Sequence, residues 1–156
     1  MINQIAAGEV IQRPASIVKE LIENSIDAQA KNIKIIIENA GKKLIHIIDD
    51  GIGMNENDAE ICFQKHTTSK IKETIDIMRI HTMGFRGEAL ASIGSISEVE
   101  LKTKTKNDII GTLINIDNSK IKKNKKIATS KGTSIAVKNL FFNIPARKKF
   151  LKSDTI

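Results

Sequence analysis

Three polar residues within one short stretch have the types and the spacing to do chemistry. Glu20, Asn24 and Asp27 lie at i, i+4 and i+7, which at 3.6 residues per turn keeps them within roughly 60° of one another on a helix. A carboxylate beside a carboxamide can hold a water and a hard cation together, because Mg²⁺ prefers oxygen ligands, retains waters and leaves substrate phosphates to complete its shell. In that arrangement Glu20 is a general base and Asn24 a cation ligand. A solvated outer helix face would carry the same spacing, so the pattern gains meaning only with its neighbours.

Two glycine-bearing segments are such neighbours. Asp49-Asp50-Gly51-Ile52-Gly53 ends a strand-like run with two acids and then removes two side chains, which lets backbone approach a flat ligand closely. A buried aspartate there can accept a hydrogen bond from an exocyclic amine; an ordinary acidic turn is the plainer reading. The remaining oxygen ligands of a calcium loop are out of register after Asp49. Gly84-Phe85-Arg86-Gly87-Glu88 precedes a helix-favouring run, where unpaired N–H groups and the helix dipole attract an anion such as phosphate. Glu88 also favours the first turn of a helix in its own right, so capping accounts for part of the pattern. Neither the Walker loop nor the dinucleotide-fold glycine order is present, so a different nucleotide fold is required.

These segments must be held by surrounding elements. A helix is expected over Pro14–Ala28, with proline in its first turn and Val18, Leu21, Ile22 and Ile26 as the apolar stripe. On that stripe Glu20, Asn24 and Asp27 fall on the opposite face. Two β-rich runs, 32–39 and 42–49, flank Ala40-Gly41 and read as a hairpin. Asn55 can cap a short helix to about Phe63, residues 65–70 read as a loop, and 71–80 as helix. A loop over 83–87 then opens a helix over 88–93. Strands are expected near 98–105, 109–116 and 133–140, with lysine-rich 120–126 as a mobile connection. Helices, a hairpin and non-local strands in this order suggest an α+β two-layer sandwich, one sheet covered on one face by helices.

Composition narrows the class. At 156 residues with 40% hydrophobic content, the chain suits one domain that buries roughly 70% of its unfolded surface. No apolar run approaches a membrane span and no basic-then-apolar leader opens the chain, so cytoplasmic location without membrane contact is expected. The lone Cys62 forms no internal disulfide, and the three histidines are not at metal-ligand spacing. Twenty-five Lys and Arg against 18 Asp and Glu give +7, a balance that favours polyanions. An AT-rich coding sequence would leave a similar composition.

Read together, several blocks resemble the MutL family of DNA mismatch-repair proteins. They are Asn3 to Val10, Arg13-Pro14-Ala15-Ser16, Lys19-Glu20-Leu21, Glu23-Asn24-Ser25, Asp27-Ala28, Asp49 to Met54, His66 with Thr68-Ser69-Lys70-Ile71, Gly84 to Ser92, Gly132-Thr133, and Asn143 with Pro145-Ala146-Arg147 and Lys149-Phe150-Leu151. The blocks occur in family order over nearly the whole chain. The resemblance implies the split ATP-binding fold shared with the ATPase subunit of DNA gyrase and the histidine kinases. It implies that Glu20 polarises the attacking water, Asn24 binds Mg²⁺, Asp49 recognises the adenine amine and Gly53 lines the pocket. Thr68, Ser69, Lys70 and Gly84, Phe85, Arg86, Gly87 match lid segments around the triphosphate, and Thr133 matches a threonine near adenine.

On the same resemblance, residues 1–151 are an ATP-binding domain without the family's N-terminal arm, and 152–156 begin a connection to a second domain. That second domain supplies a lysine to the γ-phosphate, so weak, impaired ATP hydrolysis is expected of this chain. The implied role is an ATP-driven switch between mismatch recognition and repair. Implied partners are DNA held by its phosphate backbone, a mismatch-recognition protein, an endonuclease and a helicase, with a homodimer for the intact protein and a monomer for this chain. Two alternatives stand beside it: a basic DNA-binding module centred on 120–126, and a truncated, non-functional remnant. One departure carries a structural expectation: Gln29 stands where the family commonly has a glycine suited to a left-handed helix stop, at a modest cost in stability.

Overall fold

The structure, a computed structural model, describes residues 13–64 and 85–142, with the backbone alone over 85–88. Helix α1 spans Pro14–Asp27. Strands β1 (Ile33–Glu38) and β2 (Leu44–Asp49) follow, joined through a 3-10 turn at Asn39–Gly41. Helix α2 is Glu56–Ile61 and α3 is Phe85–Ile96. Strands β3 (Glu98–Lys104), β4 (Gly111–Asp117), β5 (Lys120–Ile127) and β6 (Gly132–Lys138) complete the chain's described elements. All pairings are antiparallel, in the order β1-β2-β6-β3-β4-β5.

Register explains why one face of this sheet is a core. Ile45, Val137, Val99 and Ile116 lie opposite one another across four strands, and Ile47, Ile135, Leu101 and Ile114 form the next row. Since side chains alternate along a strand, both rows point the same way. Ile17 and Leu21 from α1, Ala59 from α2 and Leu90, Ile93 and Ile96 from α3 pack on them. The expected two-layer α+β sandwich is therefore the observed one. One step further along the strands the row turns polar: Asp49, Thr133, Thr103 and Thr112. That polar end of an otherwise greasy face is where α1 stops.

The stop has a defined geometry. Gln29 N–H donates to the Ile26 carbonyl at 2.9 Å and Ala30 N–H to the Ser25 carbonyl at 3.1 Å, the paired bonds of a Schellman motif. Gln29 adopts φ 61, so the left-handed residue is a glutamine where glycine would sit without a Cβ penalty. Gln29→Gly is expected to raise unfolding free energy by about 1 kcal/mol, read from urea denaturation midpoints at unchanged slope.

Elsewhere the sequence reading needs correction. Residues 120–126 are not a mobile connection but most of β5, because Asn118 and Ser119, both at positive φ, make the two-residue turn that returns the chain onto β4. Lysine content concealed this strand, and lysine is what an exposed sheet edge tolerates. The turn expected over 83–87 begins its helix earlier, at Phe85. The apolar stripe of α1 is also rotated: Ile17, Leu21, Asn24 and Ser25 are buried while Ile26 is 60% exposed. Asn24 thus faces the core side, not the side opposite it. Asn55 does cap α2, its Oδ1 accepting from Asp58 N–H at 2.8 Å. The expected helix over 71–80 and the segments 1–12, 65–84 and 143–156 lie outside the described residues.

Candidate functional site

A cleft opens at the polar end of the sheet. Leu21, Asn24 and Ser25 of α1, with Ala28 just past its end, form one wall. Ile47 and Asp49 of β2 with Thr133 and Ile135 of β6 form the floor, and Ile52, Gly53, Met54 and Leu90 close the sides. An apolar slot with a few convergent polar groups suits a flat ring held edge-on by hydrogen bonds.

Asp49 sits at its base, 9% exposed. Its Oδ2 accepts from Ser25 Oγ at 2.7 Å, and its Oδ1 accepts from Gly51 N–H at 2.9 Å and Thr133 N–H at 3.2 Å. Three donors fix the carboxylate in one orientation. One lone pair, on Oδ2, remains for a ligand's N–H. The neighbouring Asp50 has a different task. It accepts from the Asn32 side chain at 2.8 Å and from the backbone N–H groups of Asn32 and Lys31. Those bonds, that from the Asn32 side chain foremost, hold its carboxyl at about 2. Asp50 therefore ties the chain entering β1 to the end of β2.

The glycines are close approaches of backbone. Gly53 has φ +71, and a Cβ there would lie 2.0 Å from the Lys104 carbonyl oxygen. Gly51 passes Ala28 so closely that a Cβ would meet its carbonyl oxygen at 2.6 Å, and Ile52 N–H bonds that same carbonyl at 2.9 Å. The bend after β2 is thus docked on the end of α1. Thr103, fully buried, links the other side: its Oγ1 meets Thr133 Oγ1 at 3.0 Å, donates to the Gly132 carbonyl at 2.9 Å and receives Met54 N–H at 2.9 Å.

Asn24 is 8% exposed, yet neither its Oδ1 nor its Nδ2 has a hydrogen-bond partner among the described residues. One turn earlier Glu20 is half-buried, and its Oε2 is likewise enclosed and unpartnered. Each such group costs about 1–3 kcal/mol unless something completes it. A carboxylate and a carboxamide oxygen are the donors a hard, partly hydrated cation accepts, so the pair fits Mg²⁺. Among the described residues no cluster of three His, Cys, Asp or Glu side chains could hold a metal by itself. A cation here would need oxygens from its ligand.

Of the residues singled out from sequence, Asn24, Asp49, Gly53 and Thr133 come together on one cleft, and Glu20 adjoins it without lining it. Phe85, Arg86 and Gly87 form the first turn of α3, and Leu90 of that helix reaches the cleft. Thr68, Ser69, Lys70 and Gly84 lie outside the described residues. Ser25 and Thr103 were missed by sequence reasoning. Ser25 follows Asn24 in a helix interior where serine is a poor choice, the one signal that could have marked it.

Residues 12–146 match the family described as histidine kinase-, DNA gyrase B-, and HSP90-like ATPase. The chain is 59% identical over 154 residues to the DNA mismatch repair protein MutL of Christiangramia forsetii, covering 99% of this chain and 25% of that protein. It is 58% identical to the MutL of Flavobacterium johnsoniae, covering 99% and 24%. The chain thus spans about a quarter of the length of these curated relatives. Among solved structures it is similar to the Aquifex aeolicus MutL ATPase domain complexed with ADP, with TM-score 0.72, 31% identity and coverage of 94% of this chain and 50% of that one. It is also similar to the N-terminal domain of a DNA repair protein, with TM-score 0.78, 36% identity and coverage of 95% and 43%.

Proposed function

Because the chain belongs to the histidine kinase-, DNA gyrase B- and HSP90-like ATPase family, in its MutL branch, we propose that the cleft binds ATP with Mg²⁺ and hydrolyses it. The observation that carries this is the buried Asp49 carboxylate, fixed by Ser25, Gly51 and Thr133 at the base of an apolar slot. It is an acceptor placed for the amine of adenine. Gly53 and Thr133 flank the ring. The structural relative bound to ADP supports the same ligand class.

Asn24 would hold Mg²⁺ by its carboxamide oxygen, and the ion would supply charge neutralisation at the phosphates. Glu20, one turn away, accepts the proton of the attacking water as its oxygen bonds to the γ-phosphorus and the bond to the β-phosphate oxygen breaks, releasing ADP. Positioning and electrostatics carry most of the barrier reduction in such a step. Thr68, Ser69 and Lys70 with Gly84, Phe85, Arg86 and Gly87 serve the triphosphate. In support, the last three open α3, whose first-turn N–H groups suit an anion.

In this reading ATP binding is the switch that couples mismatch recognition to repair, in the cytoplasm, together with a mismatch-recognition protein, an endonuclease and a helicase. No described helix is long and apolar enough to cross a membrane. The exposed lysines of β5, Lys120, Lys122, Lys123 and Lys125, suit the DNA phosphate backbone, a contact without sequence preference and weakened by salt.

The test is Glu20→Ala. ATP affinity is expected to stay within about threefold while turnover falls at least about 100-fold, as loss of a general base requires. Unchanged turnover in the variant would remove Glu20 from the chemistry.

A further inference from the structure

Behind the cleft, one side chain that does not line it is hydrogen-bonded both to the bend after β2 and to β6. Thr103 on β3 is fully buried. Its Oγ1 lies 2.9 Å from the Gly132 carbonyl oxygen, 2.9 Å from the Met54 backbone nitrogen and 3.0 Å from Thr133 Oγ1. Register sets it directly across from Thr133, in the row that runs on to Asp49. A threonine hydroxyl has one proton to give and two lone pairs to receive with. The Gly132 carbonyl can only accept, so it takes the proton. The Met54 N–H can only donate, so it fills one lone pair. What remains for Thr133 is the second lone pair, and the bond between the two threonines therefore runs from Thr133 to Thr103. The Thr103 hydroxyl is thereby complete, whatever lies beyond the described residues, and it satisfies a buried carbonyl and a buried N–H at once.

We propose that Thr103 is a positioning residue for base selection: by taking the Thr133 proton it leaves the Thr133 oxygen facing the cleft as an acceptor only. This rests on the nucleotide reading of the cleft. Thr133 lines that cleft across from Asp49, whose Oδ2 also keeps a lone pair beside the Ser25 hydroxyl. From these two side chains the base end of the slot offers acceptors and no donor. An exocyclic amine has two hydrogens to give, one to the carboxylate and one to the hydroxyl oxygen, directly or through a water. A ring carbonyl in the same place meets oxygen lone pairs, and its desolvation goes uncompensated. A Thr133 proton free to rotate would turn toward such a carbonyl and rescue it. Thr103 withholds that proton, so a residue that touches no ligand sharpens the choice of amine over carbonyl.

Neutron diffraction from crystals of the whole deuterated chain reads the direction of the bond without any ligand or variant. The expected result is a deuteron on Thr133 Oγ1 pointing to Thr103, with that of Thr103 pointing to the Gly132 carbonyl. A Thr103 deuteron pointing to Thr133 would overturn the proposal. The consequence is read by calorimetric titration with ATP and with inosine triphosphate, which carries a carbonyl in place of the amine. Thr103→Val is expected to lower the ratio of ATP to inosine triphosphate affinity about 10-fold, the worth of one hydrogen bond, whereas a merely structural loss weakens both ligands alike. Thr103→Ser keeps the hydroxyl and is expected to hold the ratio within about threefold of the unaltered chain. In a chain carrying Thr133→Val, adding Thr103→Val is expected to leave the ratio unchanged, since it acts through the Thr133 hydroxyl. A ratio untouched by Thr103→Val, in a chain whose unaltered form prefers ATP, would overturn the proposal and spare the nucleotide reading. An unaltered chain that binds neither nucleotide would overturn that reading, and base selection with it.

Discussion

Asp49→Asn is expected to weaken ATP binding at least about 100-fold while leaving the fold intact. The side chains are nearly isosteric. An asparagine whose Oδ1 keeps the Gly51 and Thr133 N–H groups places its amide nitrogen where Oδ2 accepts from Ser25, and the serine hydroxyl can rotate to accept in turn. Toward the cleft, however, a charged acceptor has become a donor. An adenine amine would then face a donor across a dry slot, losing a charge-assisted hydrogen bond and leaving a buried N–H unsatisfied, together about 3 kcal/mol or more. Calorimetric titration reads the affinity, and thermal unfolding without nucleotide checks that the fold survives.

Gly132→Ala is expected to destabilise the chain by about 3–5 kcal/mol, a large fraction of the 5–15 kcal/mol typical of a domain. Gly132 has φ +119, and an added Cβ would lie 2.1 Å from the Asp49 carbonyl oxygen and 2.9 Å from Asp50 Cα. Neither neighbour can move freely. Both belong to backbone that holds β2 against β6 and the bend against α1. Relief would require shifting β6, and with it the Thr133 N–H that orients Asp49 and the Gly132 carbonyl that accepts from Thr103. Urea denaturation measures the loss; a variant within 1 kcal/mol of the unaltered chain would mean that this close approach is not as tight as its geometry indicates.

Much of this arrangement is legible in the residues. Proline at the start of α1, the hairpin of isoleucines around Ala40-Gly41 and the cap at Asn55 are local signals whose physics is satisfied within a few residues. The glycine-bearing bend marked an acidic pair and Gly53 by its residues, whereas Thr133 was named only through the family resemblance. What escaped was set by tertiary contacts. Counting apolar residues on α1 put Ile26 in the stripe, but α1 buries Ile17, Asn24 and Ser25 instead, since a polar side chain can be buried where it borders a ligand cleft. Nothing in the pair Asp49-Asp50 says which acid serves the cleft until Asn32 is seen to occupy Asp50. β5 was hidden because an edge strand is stabilised by its backbone ladder with β4, while its side chains answer to solvent. Thr103 has no sequence signature: its buried hydroxyl has meaning only beside Gly132, Thr133 and Met54.

On the proposed function, the cleft between α1 and the β2–β6 floor recognises adenine through Asp49 and phosphates through a cation on Asn24. Titration of the unaltered chain with ATP and with GTP, each with and without Mg²⁺, beside Asp49→Asn, tests it most directly. ATP is expected to bind more tightly with Mg²⁺, and GTP at least about 100-fold more weakly than ATP, because guanine presents a carbonyl where adenine presents an amine. ATP and GTP bound equally well, or ATP affinity untouched by Asp49→Asn, would contradict it.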